Sequence, residues 1–348
     1  MKSQANIASA ESFIRMRPFT LQELTAIEGI ATRLIKGINT VESEVFADDV
    51  ALAAEELPLS LRLLARDFRV GHGPQVLWLK GLDIQEGDLM GTPESWDCSW
   101  TESRILALEV RHALVASLFG YIFGWHTQEN GRFFRHIIPN RADEREQLGS
   151  SSAVDLEWHN EEAFHPSRAD AILMMCYRNH ERAETTVCPS ATLELDPATV
   201  AILRQARFVI LPDKSHRPDF NKSSQWQLAA ADFQRIEAML TDPAPQPILT
   251  GPMEAPYIRI DPAFMHAIDA ESAAALETIK AEVGRKLHGI VLEPGDLLLV
   301  DNLRAVHGRR SYRPNYGPRQ RWMRRVNLTA DLAKGGQNLV AGSKRRFL

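Results

Sequence analysis

Residues 289–302 read GIVLEPGDLLLVDN, two short apolar runs that are separated by a Pro-Gly turn and ended by Asp301 and Asn302. Short runs rich in Ile, Val and Leu and bounded by turn residues are typical of β-strands. Runs of the same texture recur in the second half of the chain: RFFRHIIP (132–139), AILMMCYRN (171–179), TTVCPSATLEL (185–195), FVILP (208–212), YIRID (257–261) and WMRRVNLTADL (322–332). The pattern predicts an antiparallel β core, either closed or built from two sheets.

The first third of the chain has a helical texture instead. Apolar residues recur at helical spacing over residues 20–38, where Thr20 and Glu23 are placed as a capping box. The longest such pattern runs from Thr101 to Phe123. These helices are expected to support the strands that follow them.

We therefore expect an α+β fold that is mainly β, in a single domain over residues 1–348. Its mostly helical part (1–125) would buttress a β core (126–335) that carries the functional site. A chain of this length can form one unit when helices decorate a large β fold.

Composition excludes several classes of function. The formal net charge is −5, and no basic stripe suggests a nucleic-acid partner. No apolar run reaches the roughly 20 residues that span a bilayer. Three cysteines without paired spacing, and an N-terminus without an apolar signal segment, indicate a cytoplasmic protein with reduced thiols. The sequence leaves the oligomeric state open.

A candidate metal site lies in DLEWHNEEAFH (155–165). In an extended strand His159 and Glu161 project from the same face, so an imidazole and a carboxylate can meet one ion. A third ligand, His307, follows a predicted strand in EPGDLLLVDNLRAVHGR (293–309). This set is typical of non-haem Fe(II) oxygenases, and zinc hydrolases use the same side chains. The alternative is that His159 and Glu161 face water and that His307 is an unrelated histidine of the core, since the sequence would then contain the same residues.

A candidate anion site lies in RQRWMRRVNL (319–328). In an extended run Arg321 and Arg325 share one face. Guanidinium groups bind carboxylates with two parallel hydrogen bonds, which suits a dicarboxylate cosubstrate and the carboxylate of an amino acid. The alternative is a cationic edge strand that resists aggregation.

Together, WHNEEAFHPSRAD (158–170), DNLRAVHGR (301–309) and RWMRRVNL (321–328) resemble, in order and spacing, the clavaminate synthase-like branch of the Fe(II)/2-oxoglutarate-dependent oxygenases in the TauD/TfdA superfamily. The chain is most similar to bacterial enzymes that hydroxylate C3 of free amino acids such as arginine and asparagine. The resemblance implies a double-stranded β-helix, or jelly roll, with flanking helices. It implies Fe(II), 2-oxoglutarate and O2 as cofactors, an amino acid as substrate, and a role in antibiotic or other specialised biosynthesis.

The resemblance also implies roles for single residues. His159, Glu161 and His307 match the iron ligands. Arg321 matches the arginine that binds the distal carboxylate of 2-oxoglutarate, and Thr186 falls where the family places a hydroxyl beside that cosubstrate.

On the substrate side, Arg325 matches the group that receives the α-carboxylate. Gln128 falls where a glutamine holds the α-amino group, which Glu161 would also touch. The pair of acids that grips the guanidinium in the arginine hydroxylases corresponds here to Arg259 and Asp261. Because an arginine replaces one carboxylate, we predict a substrate with an acidic or amide side chain, namely glutamate, aspartate or glutamine.

Several alternatives stay open at this stage. If Arg259 pairs with a nearby acid and faces away, arginine or lysine is again a candidate substrate. The same family contains desaturases, and the substrate could be tethered to a carrier protein. From other classes, a zinc hydrolase or an inactive jelly-roll binding module would fit the three ligands alone.

Overall fold

The computed structural model describes residues 13–96, 103–221 and 228–348. The α-helices in these ranges are α1 (Leu21–Ile35), α2 (Glu44–Ala54), α3 (Leu59–Arg69), α4 (Ser103–Phe119), α5 (Pro197–Leu203), α6 (Gln234–Thr241) and α7 (Ala270–Lys286). The strands are β1 (Ile14–Pro18), β2 (Val76–Lys80), β3 (Tyr121–Trp125), β4 (Phe134–Ile137), β5 (Leu156–His159), β6 (Ala171–Arg178), β7 (Glu184–Pro189), β8 (Phe208–Ile210), β9 (Leu249–Thr250), β10 (Tyr257–Ile258), β11 (Met265–Ala267), β12 (His288–Val291), β13 (Leu297–Asp301), β14 (Ala305–Arg309), β15 (Trp322–Thr329) and β16 (Arg346–Phe347).

Two sheets face each other and form the expected double-stranded β-helix. The larger has the order β1-β2-β13-β6-β15-β3-β16, with β4 also paired to β15, and the smaller has the order β12-β7-β14-β5. Side chains from the inner faces of both sheets form a common core, including Ile172, Met174, Val187, Leu298 and Met323. The prediction of a jelly-roll core is confirmed.

Helices α1 to α4 cover the outer face of the larger sheet. Alternation along β6 explains this layer, because Leu173 and Met175 pack against the helices whereas Ile172 and Met174 face the smaller sheet. Helix α1 begins with the predicted capping box, in which the Glu23 amide donates to the Thr20 hydroxyl at 3.3 Å. The helical buttress is therefore confirmed. Of the helices described, none has the length and apolar character needed to cross a bilayer.

Helix α4 ends earlier than the sequence pattern predicts. Its last residue is Phe119, and residues 121–125 form β3 beside β15. A Cβ on Gly120 would lie 3.0 Å from the Thr329 carbonyl oxygen, so the chain approaches β15 here in a way that glycine permits. The expected helix start at Thr101 lies outside the described residues.

Candidate metal centre

Three of the predicted side chains meet between β5 and β14. His159 and His307 are directly opposite each other in the antiparallel pairing of these strands. The Oε2 atom of Glu161 lies 3.9 Å from His159 Nε2 and 3.4 Å from His307 Nε2. One ligand atom from each residue lies within 4.8 Å of the other two, so the three side chains can surround a single ion.

The electrostatics of the three side chains suit a divalent cation. Burial lowers the pKa of His307 to about 4, so its imidazole is neutral and can donate a lone pair. Burial opposes ionisation of Glu161, but Arg325 and the imidazoles hold its pKa well below its usual range. Burial likewise opposes protonation of His159, but Glu161 and Asp261 raise the pKa of His159 to about 9. An ion would displace that proton.

The donor set fits iron. His159 Nδ1 donates to the Glu157 carbonyl at 2.8 Å, which leaves Nε2 directed toward Glu161. Two imidazoles and one carboxylate form the facial set of non-haem Fe(II) sites, with coordination positions left for other ligands.

Two buried asparagines, which the sequence reasoning did not assign to the site, hold Glu161 in place. Asn302 accepts from the Glu161 amide at 2.7 Å and donates to the Glu161 carbonyl at 3.0 Å. Asn160 donates to the carbonyls of Asn302 and Ala305 at 2.9 and 3.0 Å. In the sequence, these two residues could have been recognised as the asparagine between the two ligands and the asparagine that follows Asp301, the last residue of β13.

A cavity of about 370 Å³ adjoins these ligands. The predicted Arg321 lines this cavity and is 3% exposed, and its Nε and Nη1 have no hydrogen-bond partner among the described residues. Arg309 lines the same cavity, two residues after His307 on β14. Sequence reasoning missed Arg309, although the period-2 spacing from His307 places it on the same face. Unpaired, buried guanidinium nitrogens fit an anion such as a carboxylate.

Of two adjacent threonines, Thr185 and not the predicted Thr186 lines the cavity. Thr185 lines the cavity and is the register partner of Arg309. Thr186 is the register partner of Gly308, and its Oγ1 would lie 3.0 Å from a Cβ built there. Thr186 therefore points to the opposite face of β7, because neighbouring residues in a strand alternate between faces.

Arg325 and Gln128 line the part of the cavity beside Glu161. Arg325 Nη1 contacts Glu161 Oε2, while Arg325 Nε and Nη2 lack hydrogen-bond partners in the described part of the chain. Gln128 donates to the Ser215 hydroxyl, and its Oε1 is buried without a partner there. Arg135, behind them, pairs with Glu129 at 2.9 Å. The structure brings both predicted residues to the cavity and adds Arg135.

Arg259 does not face the cavity, and this corrects the argument that it reverses the charge of the substrate side chain. Its Nε donates to the Ala163 carbonyl at 2.8 Å, its Nη2 donates to the His165 carbonyl at 2.5 Å, and its Nη1 contacts the Gln246 side chain. Two of the three guanidinium nitrogens thus brace the turn after Glu161, and the third is engaged by Gln246. In the pattern Tyr-Ile-Arg-Ile-Asp, no sequence signal separates an arginine that faces a ligand from one that holds a turn.

Asp261 does line the cavity, together with Asp213 from the loop before α6. Burial raises the pKa of Asp261 to about 7, against the opposing influence of His159. Sequence reasoning did not identify Asp213. The described lining contains nine carboxylates and four arginines, and this excess of acid favours a cationic guest.

Known proteins with similar sequences are dioxygenases and amino-acid hydroxylases. The model of the family described as taurine catabolism dioxygenase TauD, TfdA family matches residues 109–327. Enduracididine beta-hydroxylase of Streptomyces hygroscopicus is 36% identical over 329 residues, which cover 93% of this chain and 96% of that protein. An L-ornithine/L-arginine 3-hydroxylase of Catenulispora acidiphila is 36% identical over 298 residues, which cover 84% of this chain and 87% of that protein.

Solved structures of one oxygenase have the same fold. The non-heme iron oxygenase OrfP in complex with Fe, succinate and (3S)-hydroxy-L-Arg superposes with a TM-score of 0.88 and 29% identity, over 96% of this chain and all of that chain. The same protein with Fe and alpha-ketoglutaric acid gives a TM-score of 0.83 and 28% identity, with equal coverage.

Proposed function

The chain belongs to the TauD, TfdA family of dioxygenases, and we propose that it hydroxylates C3 of a free L-amino acid that carries a guanidino side chain. The protein is an Fe(II)/2-oxoglutarate-dependent oxygenase that acts on an amino acid. The zinc hydrolase and the inactive binding module considered from the sequence are excluded. What the proposal adds is the side chain, the free state of the substrate and the carbon attacked.

The observation that carries the proposal is the pair Asp213 and Asp261 on the cavity wall, with Arg259 turned away. Carboxylates bind a planar guanidinium with short, charge-assisted hydrogen bonds. A glutamate or aspartate side chain would instead face an excess of like charge. The names of the relatives, which include enduracididine and arginine hydroxylases, point the same way. This replaces the acidic or amide side chain predicted from Arg259.

A free α-carboxylate is supported by Arg325. Two of its nitrogens are buried without hydrogen-bond partners among the described residues, beside the metal ligands. A carboxylate satisfies both nitrogens, whereas the thioester of a carrier-tethered amino acid carries no charge and would leave the guanidinium unpaired. A free amino acid therefore suits this site better than a tethered one.

Arg321 and Arg309 suit the far carboxylate of 2-oxoglutarate. Both are buried, both line the cavity, and both keep at least one nitrogen without a hydrogen bond in the described part of the chain. When bound, Fe(II) with 2-oxoglutarate and O2 would supply the oxidant, with succinate and CO2 as coproducts. The protein's part is positional: His159, Glu161 and His307 hold the iron, and Arg325 and Asp261 hold opposite ends of the substrate. C3, next to the anchored head group, would then be nearest the iron.

The test is a substrate panel with two readouts. Succinate formation is measured with the twenty amino acids and L-ornithine, and the product is analysed by mass and by NMR. The proposal expects L-arginine, or a close guanidino analogue, to give the highest kcat/KM and a hydroxyl on C3. Turnover that is higher with glutamate, aspartate or glutamine would contradict it. A double bond in place of the hydroxyl would identify a desaturase.

A further inference from the structure

The wall of the cavity contains a buried carboxylate that is not one of the metal ligands. Glu162 lines the cavity directly after the ligand Glu161, and its side chain is fully buried. Neither of its oxygens has a hydrogen-bond partner among the described residues. The nearest cationic nitrogen is Arg325 Nη2, at 3.8 Å from Oε1, and His216 Nε2 lies at 4.0 Å. Both distances exceed hydrogen-bond reach.

The backbone at Glu162 is arranged to point this side chain inward. Consecutive residues of an extended strand face opposite ways, so Glu161 and Glu162 could not both enter the cavity from a regular strand. Glu162 instead has a φ of 46°, in the left-handed region that non-glycine residues rarely adopt. The turn is closed by the His165 amide, which donates to the Glu162 carbonyl at 2.9 Å. Strain of this kind is concentrated at functional sites.

The position of Glu162 relative to Arg325 matches the two charges of an amino acid head group. The α-ammonium and the α-carboxylate are attached to the same carbon, so their partners must lie side by side. Arg325 Nη2 and Glu162 Oε1 are side by side, and Gln128 Oε1 is a second buried acceptor in the same wall. Bound iron would occupy one oxygen of Glu161, and Glu162 is the adjacent carboxylate, neither of whose oxygens has a hydrogen-bond partner among the described residues.

We propose that Glu162 is the anionic contact for the α-ammonium group of the substrate, with Gln128 Oε1 as its neutral neighbour. The inference rests on the proposed function only in assuming an amino acid head group at Arg325, and the side chain of the substrate does not enter it. It makes Glu162 a specificity-determining residue, because an acid without the α-amine leaves this carboxylate buried and unpaired.

The experiment compares L-arginine with 5-guanidinopentanoic acid, which lacks only the α-amine. KM for each is measured by succinate formation with Fe(II) and 2-oxoglutarate. The wild type is expected to favour L-arginine about tenfold or more, the effect of one charged hydrogen bond. In Glu162→Gln this ratio should fall close to one, through a higher KM for L-arginine. Glu162→Asp should keep part of the ratio, and Glu55→Gln, at an exposed carboxylate after α2 and outside the cavity, should keep all of it.

A merely structural role predicts a different result. If Glu162 only supports the turn, Glu162→Gln should raise KM equally for L-arginine and for 5-guanidinopentanoic acid. It should also weaken the binding of 2-oxoglutarate, which is measured by titration calorimetry under nitrogen. An unchanged ratio in Glu162→Gln overturns the proposal. If Glu162→Gln does not fold, the proposal is overturned by a Glu162→Asp variant that favours L-arginine as strongly as the wild type does. If another of the twenty amino acids replaces arginine as the substrate, the same comparison is made with its own des-amino acid, and only the guanidino assignment falls. If no amino acid is turned over, both proposals fall.

Discussion

His159 and His307 face each other across two neighbouring antiparallel strands, with their ring centroids 4.7 Å apart. Backbone hydrogen bonds of the sheet fix this relationship, and Asn302 fixes Glu161 beside it. Two of the three ligands are thus held on paired strands, and the third lies in the turn after β5, where hydrogen bonds to Asn302 hold its backbone. Such a site loses little entropy when the ion binds.

The first prediction concerns the metal. His307→Ala should weaken Fe(II) binding by more than about a hundredfold, since loss of a ligand costs more than the loss of a residue that supports one. Anaerobic titration with Fe(II) and 2-oxoglutarate should then show none of the visible charge-transfer absorption expected of the wild type. His266→Ala, at an exposed histidine on β11, is the matched control and should behave as the wild type. Undiminished succinate formation in His307→Ala would refute the assignment.

The second prediction concerns the cosubstrate arginine. Arg321→Ala should raise KM for 2-oxoglutarate about a hundredfold, because two charged hydrogen bonds are lost. KM for the amino acid should change little, since Arg325 remains in place. Arg319→Ala, two residues earlier and largely exposed, serves as the control. An equal loss of affinity for both substrates would show that Arg321 acts on the whole site.

The third prediction tests which of two adjacent threonines faces the cosubstrate. Thr185→Val should raise KM for 2-oxoglutarate about three- to tenfold, the effect of one ordinary hydrogen bond. Thr186→Val should leave it within about twofold, because Thr186 lies on the opposite face of β7. The pair is its own control, as both changes are nearly isosteric. The reverse order of effects would restore Thr186 to the role that the sequence predicted.

The fourth prediction concerns the two aspartates. Asp261→Asn should raise KM for L-arginine about 10- to 100-fold, and Asp213→Asn should do the same to a similar degree. Neither change should alter KM for 2-oxoglutarate. Asp242→Asn, at an exposed position after α6, is the control. If L-arginine is bound as tightly by both variants as by the wild type, the guanidino proposal fails.

The fifth prediction concerns stability. Asn302→Ala removes three hydrogen bonds to backbone groups of Glu161 and Ala169, all of them buried. We expect the free energy of unfolding to fall by about 2 to 4 kcal/mol and Fe(II) affinity to fall about tenfold or more. Urea unfolding of the metal-free protein gives the first value. Asn39→Ala, at an exposed asparagine, should change neither quantity. A variant as stable as the wild type would mean that water replaces the lost bonds.

Sequence reasoning was most successful where the relevant spacing is local. Glu161 follows two residues after His159, the last residue of β5, and Arg325 on β15 follows four residues after Arg321, which immediately precedes that strand. In both cases the period of a β-strand places the two side chains on one face. The meeting of His159 with His307 is not local: the residues offered His307 as a candidate third ligand, and the resemblance to known oxygenases matched it to an iron ligand.

Errors arose where one residue of register or a tertiary contact decides the outcome. Thr185 and Thr186 have the same side chain, and only the pairing of β7 with β14 shows which one faces the cavity. Arg259 is held by carbonyls of a turn that is almost a hundred residues away in the sequence. Asp213 lies in a loop without a regular period, so no pattern pointed to it.

Strand β15 also fixes the distance between two binding residues. Arg321 immediately precedes it and Arg325 lies within it, four residues later, so their Cα atoms are separated by about 13 Å of extended backbone that pairs with β6 from Trp322 onward. The cosubstrate that supplies the oxidant and the head group of the substrate are therefore held at a fixed distance from each other. Asp213 and Asp261 do not belong to this strand. One lies in a loop and the other lies just beyond a short strand. Substitutions at these two aspartates can therefore change which substrate side chain is bound without changing the distance between the oxidant and the target carbon.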